Sequence, residues 1–210
     1  MNGTPPVTKN LLIINVLFFF ATEVLARRGI DLTGLFGLFF FGVGDFHIWQ
    51  PVTYLFMHGS FSHIFFNMFA LWMFGRILET VWGGRRFFIY YMVCGVGAGL
   101  IQELVQLFSF LHAVDTGVVD YSIFAPTVGA SGAVYGILLA FAMLFPNEKM
   151  FIFPFPMPIK AKYFVAFFFV LELFSGIAVS DNVAHFAHLG GMIFGWLLIV
   201  YWKRKRYGGG

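Results

Sequence analysis

The chain has 210 residues, of which 60% are hydrophobic and only 11% charged, with 31 Phe and a formal net charge of +3. Typical soluble domains carry roughly 25% charged residues, and a water-soluble core of this size cannot bury so many Phe side chains. An ordinary soluble domain is excluded, and the chain reads as one polytopic membrane domain over residues 1–210.

A spanning helix needs about 20 mostly apolar residues. Lys9 leads into the first such stretch, 10–27. No small-residue cleavage site followed by a soluble domain comes after it, so it reads as a retained helix rather than a signal peptide. Residues 32–43 are apolar, but they are few and are interrupted by Gly34, Gly37 and Gly42, which suits an interfacial or re-entrant loop. Further spans are expected at 62–80, 86–108, 130–146, 161–179 and 184–202, the fourth being short. The loop over 109–127 carries Asp115 and Asp120 and no Lys or Arg. Residues 203–206, Lys-Arg-Lys-Arg, directly follow the last apolar stretch, so their expected partner is anionic lipid headgroups and not nucleic acid. Cys94 is the single cysteine, which leaves no disulfide framework or multi-Cys metal site within the chain. The expected fold is therefore an all-α bundle of six transmembrane helices.

Six spans put both termini on one side. Of the 13 Lys and Arg, only Arg27 and Arg28 fall on the other. Basic residues concentrate on the cytoplasmic side, so both termini are expected there. Short loops and the lack of a targeting sequence favour a bacterial inner membrane.

Polar side chains inside a membrane are costly and mark candidate functional sites. His63 and Asn67 in span two, Ser131 in span four and His188 in span six each lie within the first positions of a span running from outside to inside. At 1.5 Å per residue they fall in one layer, on the order of 5–12 Å below the external surface. Gly132-x-x-x-Gly136 follows Ser131, and Ala187, Gly191 and Gly195 recur at four-residue spacing beside His188. Small residues at this spacing let membrane helices pack closely, which would bring the Ser hydroxyl to the imidazole. His63 and Asn67 at i, i+4 share a helix face and could direct donors at an oxyanion. Ser is a weak nucleophile at neutral pH until an adjacent base such as His accepts its proton. Asp181, in the loop before span six, is the one carboxylate near in sequence at this depth, so a Ser–His dyad is favoured over a triad. Tyr135 lies one turn below Ser131 and could pack on the imidazole. A haem or ion-conducting bundle with His63 facing His188 stays open at this stage, although several spans lack charged residues to line a pathway.

His63-Ile-Phe-Phe-Asn67, Gly129-Ala-Ser131-Gly132 and His185-Phe-Ala-His188-Leu-Gly-Gly191 resemble the HxxxN, GxSG and HxxG motifs of the rhomboid intramembrane serine proteases, in the same order. The resemblance covers nearly the whole chain. It implies a six-helix bundle with a membrane-embedded first loop (29–51) and a water-filled cavity open to the outside. Ser131 would be the nucleophile, and His188 the base and later the acid. His63, Asn67 and the Ser131 backbone N–H would form the oxyanion hole. Gly129 and Gly132 would support the nucleophile, Tyr135 would stack on the base, and His185 would take the polar position just above it. No metal or cofactor is implied, and the substrates would be transmembrane segments of other proteins. The loop before span six matches a flexible cap, and Glu79 a position that braces helices. The Trp-Arg pair that some members carry in the first loop is missing, since Arg27, Arg28 and Trp49 stand apart.

Glu103 and Glu172, in spans three and five, show no evident partner and receive no chemistry. Cys94, among Gly95, Gly97 and Gly99, reads as packing. His47, His58 and His112 read as loop or interface residues, with His58 at the cavity mouth. Asn2-Gly-Thr4 is a formal glycosylation sequon on the expected cytoplasmic side. A catalytically inactive rhomboid-like protein that binds membrane clients is the alternative function, and intact Ser131 and His188 argue against it.

Overall fold

A computed structural model describes residues 3–118, 125–152, 155–178 and 184–207. Helix α1 spans Pro6–Ala26, with Pro at the first turn, where its missing N–H leaves no gap in the helical ladder. The carboxylate of Glu79 seats this end, accepting from Val7 N–H (2.9 Å), Thr8 N–H (2.7 Å) and Thr8 Oγ1 (2.7 Å). The bracing role expected of Glu79 thus has a physical form: an acidic group on the first amides of a helix, where the helix dipole favours it.

The first loop is folded. It holds α2 (Leu32–Phe36), α3 (Gln50–Thr53) and a 3-10 turn over Tyr54–Phe56. Leu38 and Phe40 are completely buried. Gln50 Oε1 accepts from Phe39 and His47 N–H, and Glu103 Oε2 accepts from Phe41 N–H at 2.9 Å. Trp49, separated from Arg27 and Arg28 in sequence, donates its indole N–H to the Leu35 carbonyl and stacks on His47.

Helix α4 (Phe61–Ala70) begins at Ser60, whose Oγ accepts from His63 N–H at 3.2 Å, an N-cap bond. It continues through a π-helical turn over Leu71–Gly75 into α5 (Arg76–Trp82). Helix α6 runs Gly84–Thr116, well past the expected 86–108, because neither Gly nor Pro occurs between Gly99 and Gly117. About half of the expected external loop is therefore helix, while Asp120 lies outside the described residues. Helix α7 is Ser131–Leu144, two residues shorter at its end than expected. Pro146 drives Phe145 out of the helical region, to φ −127°, and stops it there.

The expected all-α class holds, with one short strand pair added among the described residues. Strands β1 (Lys149–Ile152) and β2 (Phe155–Lys160) form an antiparallel hairpin pairing Lys149 with Lys160 and Met150 with Ile159. Pro156 and Pro158 prevent a helix over β2, and a two-stranded sheet tolerates Pro because each strand has a free edge. Helices α8 (Ala161–Ala178) and α9 (His185–Tyr207) follow, the latter carrying the basic run as a continuation of the helix. Asp181 and the rest of 179–183, the expected cap, lie outside the described residues.

Among the described residues, five helices are long and apolar enough to cross a membrane: Pro6–Ala26, Phe61–Trp82, Gly84–Thr116, Ala161–Ala178 and His185–Lys205. Helix α7 is apolar too, but at 14 residues it is only about 21 Å long, against a hydrocarbon core of about 30 Å. The chain is a mostly helical, polytopic integral membrane protein.

Helices α6, α7 and α9 form its centre, in contact almost backbone to backbone. A Cβ at Gly132 would run into Ala98 of α6, and one at Gly191 of α9 would overlap the Gly132 carbonyl. Cys94 is buried against Gly136, and Tyr90 donates to the Gly136 carbonyl at 2.8 Å. The small-residue spacing read in spans four and six is where the helices meet.

Candidate active site

Ser131 stands at the first turn of α7, held there from outside the helix. Leu38 and Thr127 exchange both backbone hydrogen bonds (2.9 and 2.8 Å), and Gly129 N–H donates to the Tyr54 carbonyl at 2.9 Å. Gly129 has φ +128°, a conformation that other residues rarely adopt, and a Cβ there would lie 2.7 Å from the His63 ring. Glycine at this position lets the chain turn into α7 with the His63 imidazole against it. Because Ser131, Gly132 and Ala133 open the helix, their N–H groups have no intrahelical acceptor and sit at the positive end of its dipole.

The small-residue contact between α7 and α9 brings His188 Nε2 to 2.9 Å from Ser131 Oγ. The Tyr135 ring stacks on the His188 imidazole, centroids 4.4 Å apart and planes 10° from parallel. His63 and Asn67 of α4 line the same cavity, of about 1110 Å³, as Ser131, Tyr135 and His188. At about 30 Å³ per water, it has room for tens of water molecules or an extended peptide segment. Asn67 Nδ2 donates one of its hydrogens to the His63 carbonyl at 3.0 Å, leaving the second for another acceptor. Gln102 and Gln106 of α6 also line the cavity and were not singled out from the sequence.

Glu172 corrects the sequence reading. It is buried and far from partnerless. Its Oε2 lies 2.9 Å from His188 Nδ1 and 2.6 Å from His185 Nδ1, and its Oε1 accepts from Tyr135 OH. His185, expected just above His188, meets it through this carboxylate. The signal was present in the sequence. Helix α8 runs in the opposite sense to α7 and α9, so depth has to be counted back from Ala178, which puts Glu172 about 9 Å in, within the layer of the other polar residues. Counting depth only in the inward-running spans missed it. Glu103 is the parallel case on α6, but it is taken up by the first loop.

His58 departs from expectation as well. It is buried and does not line the cavity; it meets the His63 ring edge-on at 5.0 Å. Burial, and after it the neighbouring His63, lower its pKa from 6.5 to about 3, opposed by the Phe56 backbone. The haem reading loses its ligand, since Ser131 and Glu172 engage the two nitrogens of His188. Among the described residues, Glu172, His185 and His188 bring ligand atoms within 4.8 Å of one another, a spacing a metal ion can bridge, and in this arrangement hydrogen bonds join them.

Apolar helices enclosing a hydrogen-bonded Ser–His pair in a cavity make this an integral membrane protein with a polar site inside its bundle. Residues 45–205 match the Rhomboid domain, and the chain belongs to the rhomboid family. It is 36% identical over 157 residues to Rhomboid protein 1, mitochondrial, of Saccharomyces cerevisiae, covering 72% of this chain and 42% of that protein. It is 28% identical over 203 residues to Rhomboid protease GluP of Bacillus subtilis, covering 92% and 34% respectively. With Rhomboid protease AarA of Providencia stuartii it shares 26% over 211 residues, 94% of this chain and 73% of that one. The chain spans less than half the length of the first two.

Proposed function

We propose that this chain is an intramembrane serine endopeptidase that cuts transmembrane segments of other proteins near their external end. The observation that carries the reading is the 2.9 Å contact of His188 Nε2 with Ser131 Oγ at the wall of a cavity inside apolar helices. In this reading Ser131 Oγ attacks the scissile carbonyl carbon while its proton passes to His188 Nε2. The oxyanion that forms takes hydrogen bonds from the Ser131 N–H, the second Nδ2 hydrogen of Asn67 and His63. His188 then protonates the departing amine as the C–N bond breaks. Water, activated by the same histidine, hydrolyses the acyl ester and returns Ser131. Rhomboid proteases among the relatives support this assignment.

The accompanying topology has six spans, with α7 as the short fourth, both termini cytoplasmic and the site opening to the external side. A bacterial inner membrane fits the short loops; bacterial and mitochondrial relatives both occur. The test is cleavage of a single-span substrate by purified protein in proteoliposomes, paired with labelling by a serine-directed phosphonate. Wild type should cleave and be labelled at Ser131, and Ser131→Ala should do neither. A folded wild type that binds membrane proteins without cutting them would favour the inactive client-binding alternative.

A further inference from the structure

We infer that Glu172 is the positioning carboxylate of His188, making the site a Ser131–His188–Glu172 triad assembled from α7, α9 and α8. This rests on the protease reading of Ser131 and His188 and deepens it. For His188 to take the Ser131 proton, Nε2 must carry a lone pair, so the single ring proton of the neutral imidazole must sit on Nδ1. That proton needs an acceptor, and a buried one. Glu172 Oε2 is 2.9 Å from Nδ1, on the side of the ring opposite the Ser131 contact at Nε2. Once Nε2 is protonated, the imidazolium lies against a carboxylate out of bulk water, where the pairing counts for more than at a surface.

The carboxylate is itself fixed in place. Tyr135 OH donates to its other oxygen, and His185 Nδ1 lies 2.6 Å from the same oxygen that faces His188. Tyr135 therefore acts twice: its ring lies flat on His188 while its hydroxyl holds the group that sets the tautomer of His188. The arrangement recurs in serine hydrolases of unrelated folds, where the third residue is recognised by geometry and not by sequence position.

A purely structural role, in which Glu172 merely ties α8 to α9, predicts something different. Gln has the same shape and can still hydrogen-bond Tyr135 and both histidines, but it carries no charge. An amide N–H facing Nδ1 would also force the ring proton onto Nε2, where it blocks Ser131. Glu172→Gln should keep KM within about threefold and lose about 10³–10⁴ in kcat, the scale seen when a triad carboxylate becomes an amide. Phosphonate labelling of Ser131 should slow in parallel. The measurement uses the full chain in proteoliposomes, with thermal unfolding recorded for each variant. A kcat within tenfold of wild type in folded Glu172→Gln overturns the inference and leaves the protease reading intact. Wild type that neither cleaves nor labels at Ser131 removes that reading and the inference with it. Should Glu172→Gln not fold, Glu172→Asp and Glu172→Asn form a second pair matched in shape and differing in charge. Asp should exceed Asn in kcat by at least about a hundredfold, and equal rates overturn the inference.

Discussion

At the scale of single residues, the donors on α4 and the buried imidazole beside them make separate demands. His63 and Asn67 are proposed to bind charge that exists mainly in the transition state, so their loss should fall on kcat more than on KM. One such donor is typically worth about 10²–10³ in kcat. His63→Ala and Asn67→Ala should each approach that loss, or nearer tenfold if the Ser131 N–H dominates. Steady-state kinetics on one peptide substrate measures this, and unchanged kcat in the double variant would make the pair structural. His58 acts on stability. Its folded pKa of about 3 lies below the ordinary 6.5, so the folded protein binds fewer protons than the unfolded chain. The stabilisation from neutral His58 is complete above about pH 6.5 and is lost as pH falls toward 3, at up to about 1.4 kcal/mol per unit. Thermal unfolding in detergent should therefore show Tm dropping between pH 6.5 and 4.5 in wild type and dropping less in His58→Gln. Parallel curves would place the acid sensitivity elsewhere.

At the scale of elements, the site depends on how closely α7 and α9 approach. Gly191 and Gly132 have no room for a Cβ, whereas Gly44 in the first loop has nothing within 4 Å. Overpacking a filled core costs typically about 1–3 kcal/mol, and here the atom to be displaced is backbone, which moves the helix. Gly191→Ala should lower Tm and slow both cleavage and phosphonate labelling, because the helix that shifts carries His188. Gly44→Ala should leave all three unchanged. Full labelling of Gly191→Ala at wild-type rate would show that the helices tolerate separation without parting Ser131 from His188. The folded first loop serves the same end from the other side: Leu38 pairs with Thr127, and Tyr54 receives Gly129 N–H, directly ahead of the serine.

For the whole molecule, the proposed chemistry sets terms for the substrate. Hydrolysis needs water, and the cavity beside Ser131 has room to hold it. A helical segment hides its carbonyls in intrahelical bonds, so a stretch must unwind before Ser131 can attack. Gly and Pro lower that cost by about 1 and 3 kcal/mol relative to Ala. Cleavage is expected near the external end of a substrate span, after small residues, and faster with Gly or Pro just below the cut. Mass spectrometry of products from substrates with those residues replaced by Leu tests this. Cuts in the cytoplasmic half, or rates indifferent to the replacements, would refute the proposed topology or the unwinding argument.

What could be read from the sequence is what one helix determines alone. Apolar length marks a span, and a fixed rise of 1.5 Å per residue converts position into depth, so His63, Asn67, Ser131 and His188 fell into one layer without coordinates. Spaced motifs on those helices were enough to indicate the family. Small residues at four-residue spacing marked the faces that would touch, because a backbone can approach only where no side chain stands. The structure decided what depends on the direction a side chain faces and on which helix stands opposite. Glu172 had the right depth, but nothing in the local sequence says that α8 turns it toward His188, Tyr135 and His185 and leaves Glu103 to the first loop. His58 likewise moved from an expected rim to a buried contact with His63. Depth along an axis is a local property; rotation about that axis is set by packing against neighbours that arrive from distant parts of the chain.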